Sequence, residues 1–300
     1  MTRVAPPARR GRDLSEGALA FWLLLPAFLL LTLVALYPVL RLLYTSLFRV
    51  NLVSSQAQPF VGLVNYLHAL RDPRFWQTVR TTLLLTVITV PGALVVGLVL
   101  ALLANLPYRI RWPVRLGLLL PWAMPLVFSG LVFRWFFNSQ YGVINDLLTR
   151  IGLNPQLWLI RPNLAIFTIS VAIIWKTSSF MALVILAGLQ TLPKELYEAA
   201  QVDGARPAQQ FWRITLPLLR PAIAVALIFR TITALQTFDI PYAMTGGGPG
   251  NATETIAMYI RSTTLSYLNF GYGSALAALL FVVSLVVTLV YLRYLRAGQE

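Results

Sequence analysis

Residues 164–217 read LAIFTISVAIIWKTSSFMALVILAGLQTLPKELYEAAQVDGARPAQQFWRITLP. The first part, through Leu189, is an apolar run interrupted by Lys176 and a few hydroxyl residues, and it exceeds the ~20 residues an α-helix needs to cross ~30 Å of hydrocarbon. The second part is polar, and it places three of the chain's ten acidic residues, Glu195, Glu198 and Asp203, within nine positions. A membrane-length helix thus runs directly into a charged loop outside the bilayer.

Working outward, the same alternation fills all 300 residues. Apolar runs at 19–40, 83–103, 116–133, 164–189, 218–240 and 274–292 predict six transmembrane helices. Only 11% of residues are charged, 58% are hydrophobic and the mean hydropathy is +0.72, whereas soluble domains carry about a quarter charged residues. The runs are too continuous for the ~10-residue alternating strands of a membrane β-barrel, so the fold class is an all-α integral membrane bundle. No stretch between spans (48–75, 138–163, 190–217, 241–273) is long enough for a separate soluble domain, so residues 1–300 are read as one domain that includes the polar loop 190–217.

The net charge of +14 is topological. With the N-terminus inside, inner segments hold Arg3, Arg9, Arg10, Arg12, Arg109, Arg111, Arg115, Lys194, Arg206, Arg213, Arg220, Arg293 and Arg296, against Arg49, Arg71, Arg74, Arg150, Arg161 and Arg261 outside. This positive-inside bias predicts both termini in the cytoplasm and argues against a nucleic-acid partner. The first run is too long for a signal-peptide core and lacks a small-residue cleavage site, so it is expected to stay as an uncleaved helix. Zero cysteines, a lone His68 and no GxxxxGK[ST] phosphate loop leave no expected catalytic residue, metal site or nucleotide-hydrolysing site in this chain.

Several local features are legible. The segments FVGLVNYLHAL and DPRFWQTVRTT are expected as short interfacial helices with aromatics at headgroup level. Pro26, Pro91, Pro121 and Pro125 fall in or beside spans, and the pair in LLPWAMP is the strongest kink signal, freeing carbonyls that a neighbour or a cavity must satisfy. In the polar loop, Pro193 is expected in a first helical turn, Glu195 and Glu198 near the positive end of the helix dipole, and Asp203-Gly204 at a left-handed C-terminus. A second helix would start near Arg206-Pro207, giving two helices joined by a glycine elbow, with Ala199 and Ala200 presenting a bare face suited to another protein's groove, and Glu198 bracing the loop.

The spacing Glu198-Ala199-Ala200, three residues, Gly204, nine residues, then Ile214 and Leu216-Pro217 resembles the EAA loop of permease subunits from binding-protein-dependent ABC importers. YPVLRLLYTSL, FVGLVNY, LLPWAMP and TFDIPYAMTGGGPGNATETIAMYI extend the likeness along the chain to the carbohydrate-uptake branch, particularly the maltose-permease F-like subunits. The chain lacks their large periplasmic insertion and extra N-terminal spans, and so looks like the shorter trehalose/maltose permeases. The resemblance implies a sugar importer of the bacterial or archaeal cytoplasmic membrane, for a disaccharide such as trehalose or maltose. It implies a second, G-like permease, an extracytoplasmic sugar-binding protein, and two ATPase subunits that carry ATP and Mg; this chain would hold no cofactor. Glu198, Ala199, Ala200, Asp203 and Gly204 would couple the ATPases to alternating access, and the GGGPG turn at 246–250 would lie near the docked binding protein.

Ionisable groups inside spans are functional candidates because facing lipid is expensive. Lys176 and Arg230 sit near the middle of the fourth and fifth runs, followed by Thr177, Ser178 and Ser179 and by Thr231, Thr233, Gln236, Thr237 and Asp239. Family sugar contacts carried onto this sequence imply Trp122, Lys176, Thr177, Phe180, Arg230, Thr233 and Thr237, with Gln236 as a further candidate. The competing expectation is that these hydroxyls bond across helices and that Arg230 pairs with Asp239 or with a partner helix. An importer of the same architecture for glycerol phosphate or another polar solute is the alternative. A membrane enzyme acting on lipid-linked sugars lacks the clustered acids it would need.

Overall fold

The computed structural model describes residues 15–53, 58–106 and 112–297. Among them the structure is helical, with two isolated backbone bridges, Phe48 to Phe60 and Asn51 to Asn269, and no sheet. The helices are α1 Gly17–Ser46, α2 Val64–Arg71, α3 Pro73–Asn105, α4 Trp112–Ala123, α5 Leu126–Phe136, α6 Val143–Arg150, α7 Pro162–Gln190, α8 Lys194–Val202, α9 Pro207–Leu218, α10 Arg220–Leu235, α11 Asp239–Thr245, α12 Ile256–Arg261 and α13 Phe270–Ala297. Four of them contain a single stretch long and apolar enough to span a bilayer, or six if α4–α5 and α9–α10 each count as one bent span.

Two of the six runs therefore do not form single straight helices. The third breaks between Ala123 and Leu126, and its halves meet at 97°. Pro125 lacks the N–H that Pro121 O would accept, and its ring obstructs the preceding turn. The fifth run begins with the 62° bend between α9 and α10 and ends at Leu235, so Thr237 to Ile240 fall beyond α10. The segment expected as a second interfacial helix, DPRFWQTVRTT, is instead the first part of the 33-residue α3, with Asp72 as N-cap accepting from Arg74 N–H at 2.9 Å and Pro73 at N1.

The centre of the bundle is the pairing of α3 with α7. Small residues make it possible: Ala93, Gly97, Ala101 and Ala104 are buried along α3, and a Cβ on Gly97 would lie 2.8 Å from Met181 Cβ and 2.9 Å from Ser178 O. Backbones approach this closely only where side chains are minimal, the usual means of helix association in lipid. Gly188 plays the same part against Ala222 of α10. One end of α3 joins the cluster of Phe75, Ile256, Tyr259 and Tyr272, and the other joins Leu189 and Leu219, so the loop after α7 lies at the end of the bundle opposite α12. The apolar 18-residue core of α1 has no residue buried within this chain.

Candidate functional site

The polar loop folds as the spacing predicts, with two adjustments. Pro193 is the N-cap of α8 and precedes its first turn, and Asp203 is its C-cap. Gly204 has φ +76°, which a residue without Cβ adopts freely. Ala205 N–H donates to Ala200 O at 2.8 Å and Gly204 N–H to Gln201 O at 3.0 Å, the paired bonds of a Schellman C-terminus. Past this elbow, Gln209 Oε1 accepts from Arg206 N–H at 2.8 Å and starts α9. The hydroxyls of Tyr197 and Thr215, 2.9 Å apart, tie α8 to α9. The brace is thus Tyr197 rather than Glu198, which is exposed and forms no hydrogen bond or ion pair among the described residues. Ala199, Asp203 and Gly204 are also exposed and Ala200 is half-buried; α8 buries nothing in this chain, and Val202 is 88% exposed. The result is a rigidly capped helix whose outward face is free for a partner.

The second locus is a cavity of about 240 Å³ lined by Leu126, Ile173, Thr177, Arg230, Thr233, Gln236, Thr237, Phe238, Asp239 and Ile240. Five sequence candidates, Thr177, Arg230, Thr233, Gln236 and Thr237, meet here, because α5 begins at the break in the third run and packs with α7 beside the end of α10, where the fifth run leaves the helix after Leu235. Thr177 Oγ1 donates to Ile173 O at 2.7 Å and Thr233 Oγ1 to Phe229 O at 3.0 Å, which leaves their oxygen lone pairs as acceptors. Arg230 is 3% exposed; it donates from Nη2 to Thr89 Oγ1 at 2.8 Å and from Nη1 to Thr233 Oγ1 at 3.4 Å, and Nε has no partner. The expected pairing with Asp239 is not formed, although both line the cavity. Thr231, by contrast, bonds the Tyr291 hydroxyl at 3.0 Å, as inter-helix glue.

Lys176, Trp122 and Phe180 do not line this cavity. Lys176 is 5% exposed, and its ammonium donates to the carbonyls of Pro121, Trp122 and Met124, each at 2.6 Å. All three of its donors are consumed. It closes the break between α4 and α5, satisfying the carbonyl orphaned by Pro125 and the two beside it, so it is a structural clamp with no donor left for a solute. The Trp122 side chain is exposed, and Phe180 meets Phe229 edge to face, with ring centroids 6.3 Å apart.

Sequence reasoning missed Thr89. The signal was the buried stripe Thr78, Thr82, Thr86, Thr89 along α3, at helical spacing inside an apolar run. It also missed the corner opposite the polar loop, where Arg74 Nε and Nη2 grip Glu254 at 2.9 and 2.8 Å, with Glu254 only 5% exposed. At that corner Tyr259 and Tyr272 both donate to Asp72 Oδ2, the latter at 2.9 Å. Partial burial pushes the Asp72 carboxyl up, but bonds from Tyr259, Tyr272 and the N–H groups of Arg74 and Phe75 outweigh it and hold it below its ordinary value. Burial, reinforced by the bond to Asp72, pushes the Tyr259 hydroxyl up to about 12. The glycine turn beside this corner is tied down: Thr253 Oγ1 donates to Gly248 O at 2.7 Å, and Thr81 Oγ1 to Ala252 O at 3.2 Å.

Residues 93–297, which include both loci, match the family of binding-protein-dependent transport system inner membrane components. The chain belongs to this family. It is 59% identical over 291 residues, 97% of this chain and 94% of the relative, to the sulfoquinovosyl glycerol transport system permease protein SmoG of Agrobacterium fabrum. It is 40% identical over 288 residues, 95% of this chain and 96% of the relative, to the trehalose/maltose transport system permease protein MalF of Thermococcus litoralis. Its fold superposes with a TM-score of 0.81, at 26% identity over 95% of this chain and 96% of the other, on a chain in the crystal structure of a bacterial alginate ABC transporter in complex with an alginate pentasaccharide-bound periplasmic protein. The protein is a sugar ABC importer permease subunit and not an enzyme.

Proposed function

We propose that this subunit forms part of the translocation pathway for a small glycoside, on the scale of a disaccharide, with the cavity at Thr177, Thr233, Gln236 and Thr237 as its solute-contacting portion. The chain crosses the cytoplasmic membrane six times with both termini inside, and α8 docks into an ATPase through Glu198, Ala199, Ala200, Asp203 and Gly204. The observation that carries this is geometric: α8 is capped and exposed, the Gly204 elbow joins it to α9, the 62° bend joins α9 to α10, and α10 carries Arg230 and Thr233 to the cavity. A movement imposed on α8 by ATP-driven closure therefore reaches the cavity along helices. The partners in this reading are a G-like permease, two ATPase subunits holding ATP and Mg, and an extracytoplasmic binding protein that meets the end of the bundle bearing the 246–250 turn.

For the solute, the 59% identical relative is named for sulfoquinovosyl glycerol and the 40% identical one for trehalose and maltose. The higher identity favours a glycosyl glycerol over the neutral disaccharides expected from the sequence, which remain the second reading. Purification of the tagged chain from its native membrane, followed by mass spectrometry, tests the assembly: a second permease, an ATPase and a binding protein with its bound ligand are expected. Glu198→Lys is expected to impair assembly or coupled ATPase while the binding protein's affinity for its ligand is unchanged. Recovery of the folded chain alone, or normal coupled ATPase in that variant, would sink the assignment.

A further inference from the structure

Arg230 stands in an electrostatic position that the neutral-sugar readings leave unexplained. It lies within a membrane-length helix pair and is 3% exposed, a setting in which an unpaired cation is expensive. Among the described residues the ion pairs are Arg74 with Glu254 and Arg150 with Asp146, so Arg230 has no carboxylate partner. Its planar fork carries five donors suited to an oxyanion. Two of them meet only neutral threonine hydroxyls, at 2.8 and 3.4 Å, and Nε meets nothing. The rest of the cavity wall has the complementary character: Thr177 and Thr233 spend their protons on their own helix and offer lone pairs, which suit solute hydroxyls.

We propose that Arg230, held by Thr89, is the residue that selects an anionic substituent on the solute, a sulfonate, carboxylate or phosphate on a small polyhydroxylated glycoside. This rests on the reading of the cavity as the translocation pathway. The oxyanion takes up the second hydrogens of the Nη groups, which the threonines leave free, the threonine oxygens accept from the sugar hydroxyls, and passage of the solute supplies the countercharge that the protein omits. Thr89 is a positioning residue in this scheme, since it fixes Nη2 from the adjacent helix.

The test uses the complete importer with its partners in proteoliposomes, supplied with saturating binding protein whose ligand affinities are measured separately. The probes are a sulfonated glucoside of glycerol and its neutral parent. Arg230→Gln is expected to lower uptake of the sulfonated probe about tenfold or more, the scale of one charge-assisted hydrogen bond, with unchanged complex yield. Arg230→Lys keeps the charge but not the fork, and is expected to restore uptake of the sulfonated probe only in part, above Arg230→Gln and below the parent. Thr89→Val is expected to raise the half-saturating concentration several-fold without lowering the maximal rate. Wild-type uptake of the sulfonated probe by Arg230→Gln overturns the proposal. So does loss of complex yield in Arg230→Gln with recovery in Arg230→Lys, which makes Arg230 a counter-ion for a neighbouring helix. If the wild-type importer carries only the neutral glucoside, or carries trehalose or maltose and neither probe, the anion proposal fails alone; if it carries a sugar whose uptake Arg230→Gln, Thr177→Val and Thr233→Val all leave at the parent rate, the pathway reading fails with it.

Discussion

Replacing Lys176 with Met keeps an unbranched side chain of similar length and removes all three donors at the break between α4 and α5. Three carbonyls, of Pro121, Trp122 and Met124, then lose their 2.6 Å partners at a half-buried break within an apolar run. At about 1–3 kcal/mol for each group left unsatisfied, the gross loss is about 3–9 kcal/mol. Relief of burying an ammonium at membrane depth returns about 2.5–3.5 kcal/mol on insertion scales. The balance centres on about 3 kcal/mol of destabilisation. Equilibrium unfolding in mixed micelles measures it through tryptophan fluorescence, because Trp122 and Trp175 adjoin the clamp. Hydrogen exchange gives a local readout, with faster exchange expected at the start of α5. A variant matching the parent in both would refute the clamp, since it would show that the carbonyls were satisfied by other groups.

Gly97→Ala places a Cβ 2.8 Å from Met181 Cβ and 2.9 Å from Ser178 O; a loss of about 1–3 kcal/mol is expected from forcing α3 and α7 apart, and thermal melting in detergent checks it. Gly204 has open space around it but φ +76°, so Gly204→Val acts through backbone strain of about 1–2 kcal/mol. Coupled ATPase should fall while solute binding to the binding protein is unaffected. Asp72 is held below its ordinary value, so its contribution to stability is present above the unfolded carboxylate range near ~3.9 and is lost as pH falls through the lower folded value. Tyr259 is raised to about 12, so its contribution is present below the ordinary tyrosine value of ~10 and fades as pH rises toward 12. Melting temperature measured across pH should be flat between these limbs, and Asp72→Asn should flatten the acid limb.

The spans were legible because burial in lipid writes itself into composition, and each of the six runs corresponds to a membrane-length helix or a bent pair. The break at Pro121 and Pro125 was legible for the same reason that it forms: proline removes a donor at a known position. What occupied the orphaned carbonyl was not, because Lys176 lies 52 to 55 residues away and its sequence context is that of any intramembrane cation. The EAA spacing located the elbow, since Gly204 and the Schellman bonds are local. The brace is not legible, because the Tyr197 and Thr215 hydroxyls that form it are 18 residues apart and Glu198 bonds nothing among the described residues. At the cavity, Thr177, Arg230, Thr233, Gln236 and Thr237 were found by polarity inside a span, while Thr89 was hidden in an apolar average and the corner pair Arg74 and Glu254 by 180 residues of separation.

That corner also sets an order of assembly. Arg74 begins α3, yet its carboxylate partner lies 180 residues on, and the two tyrosines that bond Asp72 lie 187 and 200 residues on. Until those residues are synthesised, the start of α3 has only its local cap, Asp72 accepting from Arg74 N–H, and lacks these distant partners. The joint that fixes this end is completed after α10 has emerged and the final helix has begun, so the polypeptide closes this contact almost last.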